Sequence, residues 1–371
     1  MRVLNSLLGL LLAAFAVFTV QPAWFGPAAR LATVVPGAQI MSSRGALALG
    51  MLIAALTVGL LGAVRRYFGG GRVAVSCAVV LLLVALAHAG TLSGRGLERE
   101  ALGAPAAGEL TVVQYNTEGG RVDLDHLADA IARVGADAVS LIETSSEAGA
   151  EIQEKLAARG VEYQLFDGGV SRYSAAWRSS VLLVSAARGE YEAVDLSEAY
   201  GEDVSRAVAA APRGGARPDA PMFVAGHPTA PIPAYMDLWR AEARALYRVC
   251  EAVPDAVVAG DFNSTADHQA ALSPGSTCRD LGADAGIGAV GTWPTTVPAL
   301  LASPIDRVMS SGAYRGVAGE IIDPDNASDH RGIIVRLKPA TDSAPAAGVG
   351  PATDSAPAPA PDPTPATESD S

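Results

Sequence analysis

The segment Val257-Val-Ala-Gly-Asp261-Phe-Asn263-Ser-Thr ends an apolar run with a carboxylate and a carboxamide. Residues two apart on an extended chain point to the same side, so Asp261 and Asn263 can together hold a water and a phosphoryl oxygen. The plainer reading is an Asx turn capping the next helix. Ser328-Asp329-His330 precedes a second apolar run, and Ile305-Asp306 lies about two dozen residues before it. A histidine titrating near neutrality needs an orienting carboxylate to act as acid or base, and Asp306 can supply one to His330. Asn116 and Glu143 end the runs Leu110–Tyr115 and Ala138–Ile142. Hard divalent cations take oxygen ligands, and Mg²⁺ typically uses one or two carboxylates beside water and phosphate, which makes Glu143 the natural ligand. His227 stands before Pro228, Pro231 and Pro233 on a rigid turn, where an imidazole can stabilise phosphoryl charge. Singly, each of these residues reads equally well as a turn, a cap or a packed polar side chain.

In order along the chain, Asn116, Glu143, His227, Asp261 with Asn263, Asp306, and Asp329 with His330 form a signature. It resembles the endonuclease/exonuclease/phosphatase superfamily over about residues 109–338, with Gly-Asp-Phe-Asn and Ser-Asp-His its sharpest parts. That resemblance implies a four-layered α/β/β/α sandwich and metal-assisted in-line attack of water on a phosphoester. Asn116, Glu143 and Asp329 would serve a Mg²⁺ or Mn²⁺ ion, Asp329 either as ligand or as an orienting group. Asp261 and Asn263 would position or deprotonate the water, and His227 and the His330–Asp306 pair would bind phosphate and stabilise the transition state. Gly291-Thr-Trp293-Pro, and Thr265, Asp267 and His268, look like membrane-anchored bacterial relatives. The substrate-contacting Tyr and Arg of abasic-site enzymes have no clear counterpart, although Arg178 beside Trp177 is a candidate phosphate contact. His268 either joins the metal site or caps the following helix, the cap being the expectation. His88 and His126 read as incidental.

The elements that must position these residues are short Val- and Ile-rich runs alternating with stretches of helical period. Expected strands are Leu110–Tyr115, Ala138–Ile142, Ser180–Val184, Met222–Ala225, Ala256–Ala259, Ile305–Met309 and Ile333–Leu337. Expected helices are Leu124–Val134, Glu147–Arg159 and Ala234–Val253, the last with Met236, Trp239, Ala243 and Tyr247 on one face. This describes an α/β domain at 109–338, large enough for a layered core.

The first 90 residues are different in kind. No Asp or Glu occurs before Glu98. Three uncharged apolar runs, 4–20, 45–64 and 73–89, approach the roughly 20 residues that cross a bilayer. The first could instead be a cleaved signal peptide. Arg65, Arg66 and Arg72 crowd between the second and third runs and should stay cytoplasmic, which places everything after about Gly90 outside. Residues 91–108 read as a linker. The tail 339–371 repeats Pro-Ala-Thr-Asp-Ser-Ala-Pro-Ala at 339 and 351 and has too little apolar surface to fold.

Between Leu97 and Lys338 there are 20 Lys and Arg against 34 Asp and Glu, a balance of −14, which disfavours broad capture of duplex nucleic acid. Cys250 and Cys278 can pair in an oxidising compartment or stay as buried thiols. The expected function is a multi-pass, membrane-anchored phosphodiesterase or nuclease-like hydrolase acting outside the cytoplasm. Its substrate would be nucleic acid, a phospholipid head group or a small phosphoester, with no protein partner. The competing reading is a catalytically inactive binding or scaffolding module of the same fold. Transport through the spans is poorly supported, because they hold no Asp, Glu or Lys.

Overall fold

A computed structural model describes residues 2–98, 100–202, 204, 206–323 and 327–340; the tail expected at 339–371 lies almost wholly outside them. The chain opens with α1 (Arg2–Val20), a 3-10 segment (Pro22–Thr33), α2 (Gly37–Met41), α3 (Arg44–Tyr67) and α4 (Arg72–Arg95). Then follow β1 (Leu110–Asn116), α5 (Leu124–Val134), β2 (Ala138–Ile142), α6 (Ser146–Ala157), β3 (Tyr163–Asp167), β4 (Ser180–Ser185), β5 (Tyr191–Val194) and α7 (Leu196–Tyr200). The remainder comprises β6 (Val208–Pro212), β7 (Met222–Gly226), α8 (Met236–Ala252), β8 (Ala256–Asp261), α9 (Ala266–Leu272), β9 (Arg279–Asp280), α10 (Leu281–Asp284), β10 (Asp306–Ser310), β11 (Tyr314–Ile322) and β12 (Gly332–Pro339).

The strands form two six-stranded mixed sheets, ordered β11-β12-β1-β2-β4-β3 and β5-β6-β7-β8-β10-β9. Each has one parallel pair near its centre, β1 with β2 and β7 with β8, inside antiparallel neighbours. Strand alternation builds the layers. Val112 and Leu110 face the second sheet, where they join Phe223, Ala225, Val257 and Val308 in a core between the sheets. Val113 and Tyr115 point the other way, onto Leu127 and Ile131 of α5 and Ile152 and Leu156 of α6. Val224 and Val258 of the second sheet meet Trp239, Ala243, Leu246 and Val249 of α8 on its outer face. The result is an α/β/β/α sandwich. Its helices start at side-chain caps, Asp123 for α5 and Ser145 for α6, each satisfying backbone donors that have no intrahelical partner. Cys250 of α8 and Cys278 form a disulfide.

In the N-terminal region α3 and α4 are long and apolar enough to cross a membrane. A third span exists only if α1 and the 3-10 segment, bent by 90° to each other, count as one. The stretch expected to be a linker is helical as far as Arg95, and then lies along the domain: Gly288 N donates to Arg95 O, Ala289 N to Gly96 O and Glu98 N to Gly286 O, all at 2.9 Å. A Cβ at Gly96 would fall 2.0 Å from Gly286 O, so the backbones touch there.

Candidate active site

The polar residues collect where the central parallel pairs of the two sheets end. Along β1, Val112, Gln114 and Asn116 share the face toward the second sheet, so the inter-sheet core turns from apolar to amide-bearing over five residues. Asn116 Nδ2 donates to Glu143 Oε1, just past β2, and to Asp261 Oδ2, the last residue of β8, both at 3.2 Å. His227 follows β7, with Nε2 3.9 Å from Glu143 Oε1 and 3.7 Å from Asp261 Oδ2. His330, just before β12, brings its Nε2 to 3.7 Å from the same Asp261 oxygen. On the far side of that ring, His330 Nδ1 lies 2.8 Å from Asp306 Oδ2 at the start of β10. Gln114 Nε2 donates to the other Asp306 oxygen at 2.9 Å. Strand β10 runs antiparallel to β8 with Asp306 opposite Asp261, and this pairing brings the two carboxylates to one end.

Asn263 reaches the site by a different route from the one expected. Strand β8 stops at Asp261, and Asn263 is left-handed (φ 47°). Asp261 Oδ1 accepts Asn263 N at 2.9 Å, which is the Asx turn, while Oδ2 stays in the cluster. Asn263 Nδ2 then donates to Pro228 O at 3.0 Å, tying the Asp261 loop to the His227 loop. Glu143 is also left-handed, at φ 55°, held by Glu143 N on Ser179 O and Gly119 N on Glu143 O. Such conformations cost non-glycine residues about 1–3 kcal/mol, and two of the three here belong to the candidate site.

Asp329 stands at the solvent edge. Its Oδ2 accepts Trp293 Nε1 at 2.9 Å, and its Oδ1 is 3.9 Å from His330 Nε2. Arg178 is exposed, with its guanidinium 4.8 Å from the centre of the Trp177 ring. A second guanidinium, that of Arg206, covers the same ring at 5.4 Å. Arg206 Nε donates to His227 O at 3.0 Å, and the side chain also bonds Thr229 and Glu242. Sequence reading missed Arg206, which lies in an irregular stretch without a pattern. It also missed Gln114, which its two-residue spacing from Asn116 could have revealed. His268 is a cap: its Nδ1 accepts Thr265 N at 3.1 Å in a capping box at the start of α9, and its Nε2 lies 2.7 Å from Ala38 O.

Burial and charge set the protonation of the cluster. Burial pushes the Asp261 carboxyl up to about 7, with His330 opposing and Asp306 assisting. Burial alone would lower the His330 pKa, but Asp306 and Asp261 overcome it and push it up to about 10. His227 goes down to about 3 through burial and the charges of Arg206 and His330, so its ring is neutral at pH 7. Burial also raises Glu143, against the Asn116 hydrogen bond.

The donor set fits a hard divalent cation. Two acidic side chains converge on one amide and face imidazoles at 3.7–3.9 Å, beyond hydrogen-bonding distance. Asp261, Asp306 and His330 also place one ligand atom each within 4.8 Å of the others. Both Asp306 oxygens already accept hydrogen bonds, however, so this carboxylate orients His330 and is not offered to an ion. Asn116 Oδ1 accepts Glu118 N at 3.0 Å; it would face an ion only after the amide turned over.

No curated protein sequence matches the chain. Similar solved structures include a protein of the same fold from Beutenbergia cavernae DSM 12333, at 20% identity and TM-score 0.47 over 62% of this chain and 72% of that one. Another is a humanized D. rerio TDP2, at 18% and 0.46 over 62% and 100%. A third is a mannosyl-6-phosphatase of Bacteroides thetaiotaomicron VPI-5482, at 16% and 0.43 over 62% and 99%. A family model matches residues 113–330, which span every residue of the cluster. The chain belongs to the endonuclease/exonuclease/phosphatase family.

Proposed function

We propose that this protein is a membrane-anchored, Mg²⁺- or Mn²⁺-dependent phosphoesterase whose sandwich domain lies outside the cytoplasm. The observation that carries the reading is the convergence of Glu143, Asp261, His227 and His330 around Asn116 at the shared end of two sheets. The topology rests on Arg65 and Arg66 at the end of α3 and Arg72 at the start of α4, a basic turn that belongs on the cytoplasmic side.

Glu143 and Asp261, with Asp329 at the edge and Asn116 after an amide turn, would hold the cation. Once bound, it would neutralise charge on the phosphoryl oxygens. Asp261, with a pKa near neutrality, is placed to accept a proton from water. The water oxygen forms the new P–O bond as the ester P–O bond breaks, and the leaving oxygen takes up a proton. His330, kept cationic by Asp306, supplies positive charge and a donor toward the phosphoryl group, and neutral His227 supplies another donor. Arg178 at the Trp177 face is the outer phosphate contact, and Asn263 holds the Asp261 and His227 loops in register.

The test is hydrolysis of a bis-aryl phosphodiester by the full chain in mild detergent, with Mg²⁺, Mn²⁺ or chelator, beside Asp261→Asn and His330→Gln. Turnover that needs metal and is lost in both variants supports the reading. A folded protein inert under every condition overturns it.

A further inference from the structure

The spans do not merely tether the domain, because they dock on the loops that carry the candidate site. The domain-side ends of all three N-terminal helices meet at Asp267, in the first turn of α9. Arg44, which opens α3, places Nη2 and Nε 2.6 and 2.9 Å from its two carboxylate oxygens. Arg95, which closes α4, does the same at 2.7 and 3.0 Å. Arg44 also donates to Val20 O, the end of α1, at 2.9 Å. Paired carboxylate–guanidinium contacts of this kind fix orientation as well as distance. Asp267 is therefore level with the point where the spans leave the bilayer. Six residues separate it from Asp261, so the two lie within about 20 Å at full extension, less than the roughly 30 Å of hydrocarbon that the spans cross.

Two more site loops dock on the same surface. Gln39 Nε2 donates to Pro231 O at 2.6 Å, four residues beyond His227. Ser43 Oγ donates to Leu301 O at 2.8 Å, and a Cβ at Gly45 would fall 1.6 Å from Leu300 O. This second loop leads from Trp293, the partner of Asp329, to Asp306. Beside these contacts the loops expose Ile232, Leu238 and Leu300, each 47% accessible. The 3-10 segment, turned 90° from α1 and packed on α9, exposes Trp24 at 69% together with Leu31. A tryptophan on a segment perpendicular to a span is the usual signature of the membrane interface. Apolar side chains next to that level, on the loops that lead into the site, have lipid as their natural neighbour.

We infer that the site takes its substrate from the bilayer: a phosphoester whose apolar chain stays in the membrane while its head group enters between the His227, Asn263 and Trp293 loops. This rests on the phosphoesterase reading above.

The experiment uses the full chain reconstituted in phosphatidylcholine vesicles with Mg²⁺ or Mn²⁺. One aryl phosphodiester reporter is offered in two forms, water-soluble and tethered to an acyl chain in the same vesicles. The expected result is at least a tenfold higher kcat/KM for the tethered form. Ile232→Glu with Leu238→Glu should remove most of that advantage while changing turnover of the soluble form less than twofold. Equal turnover of both forms, or an advantage untouched by the double variant, overturns the inference and leaves the phosphoesterase standing. Inertness toward both forms removes the phosphoesterase reading and the inference with it.

Discussion

Replacing Asp267 by Asn should detach the membrane segment from the catalytic loop. In the native protein this carboxylate, 6% exposed, receives two contacts from each of Arg44 and Arg95. Burial alone would raise its pKa, but Arg95 and Arg44 more than compensate and hold it below the ordinary carboxylate range. The variant leaves two guanidiniums facing a neutral amide. Loss of one member of a buried ionic cluster costs about 3–5 kcal/mol, a factor of roughly a hundred to several thousand in opening α9 away from the spans. The assay is proteolysis of the full chain in mild detergent across a urea series, with Arg44→Gln, Arg95→Gln and the double-variant cycles with Asp267→Asn. Each double variant should lose less than the sum of its single losses. Because the folded carboxyl is depressed, the contribution is fully present above the unfolded value of 3.8 and is lost only as pH falls below it. The docking should thus be insensitive to pH between 5 and 8. A loss under about 1 kcal/mol, or strict additivity with both arginine variants, would refute the reasoning.

Asp261→Asn and His330→Gln should each reduce metal-dependent ester hydrolysis by roughly 10²–10⁴-fold, read as kcat on the bis-aryl reporter. Asp306→Asn should leave metal affinity nearly unchanged and lower kcat, because it frees the His330 ring and removes its counter-charge; calorimetry beside kinetics separates the two. Reducing Cys250–Cys278, which closes a loop of 28 residues, should destabilise the domain by about 3.5 kcal/mol, measured as a shift in the urea midpoint with and without reductant. Burial raises the metal-free Asp261 carboxyl to about 7, so it is largely protonated at pH 6. Mg²⁺ binding there should release up to about one proton, detected by calorimetry in buffers of different ionisation enthalpy, and the release should vanish in Asp261→Asn.

Much of this architecture was legible in the sequence because buried strands announce themselves. Val112 and Val113, or Val257 and Val258, are apolar on successive positions, as strands covered on both faces must be. Strands β5 and β6 escaped notice: Tyr191–Val194 is partly exposed, and Val208–Pro212 is mostly alanine. The site residues were legible as types at strand ends, but their geometry was not. Asn263 faces the His227 loop through a left-handed turn, a conformation that alternation along a strand does not suggest. His88 had seemed incidental, yet it is buried with Nδ1 3.0 Å from Arg44 Nη1 and Nε2 3.1 Å from Thr19 Oγ1. Its link to Asp267 through Arg44 joins residues far apart in the chain, which no local pattern records.

The pairing of the first domain strand with the last has a consequence for synthesis. Strand β1 is flanked by β2 and β12, with Leu110 opposite Leu337, and His330 arrives only with β12. While the ribosome still holds its C-terminal portion, the nascent polypeptide has the Asp261 loop and its docking arginines but neither the imidazole of His330 nor a finished sheet. Hydrolytic competence is thereby deferred to the end of translation, after α1, α3 and α4 have all emerged.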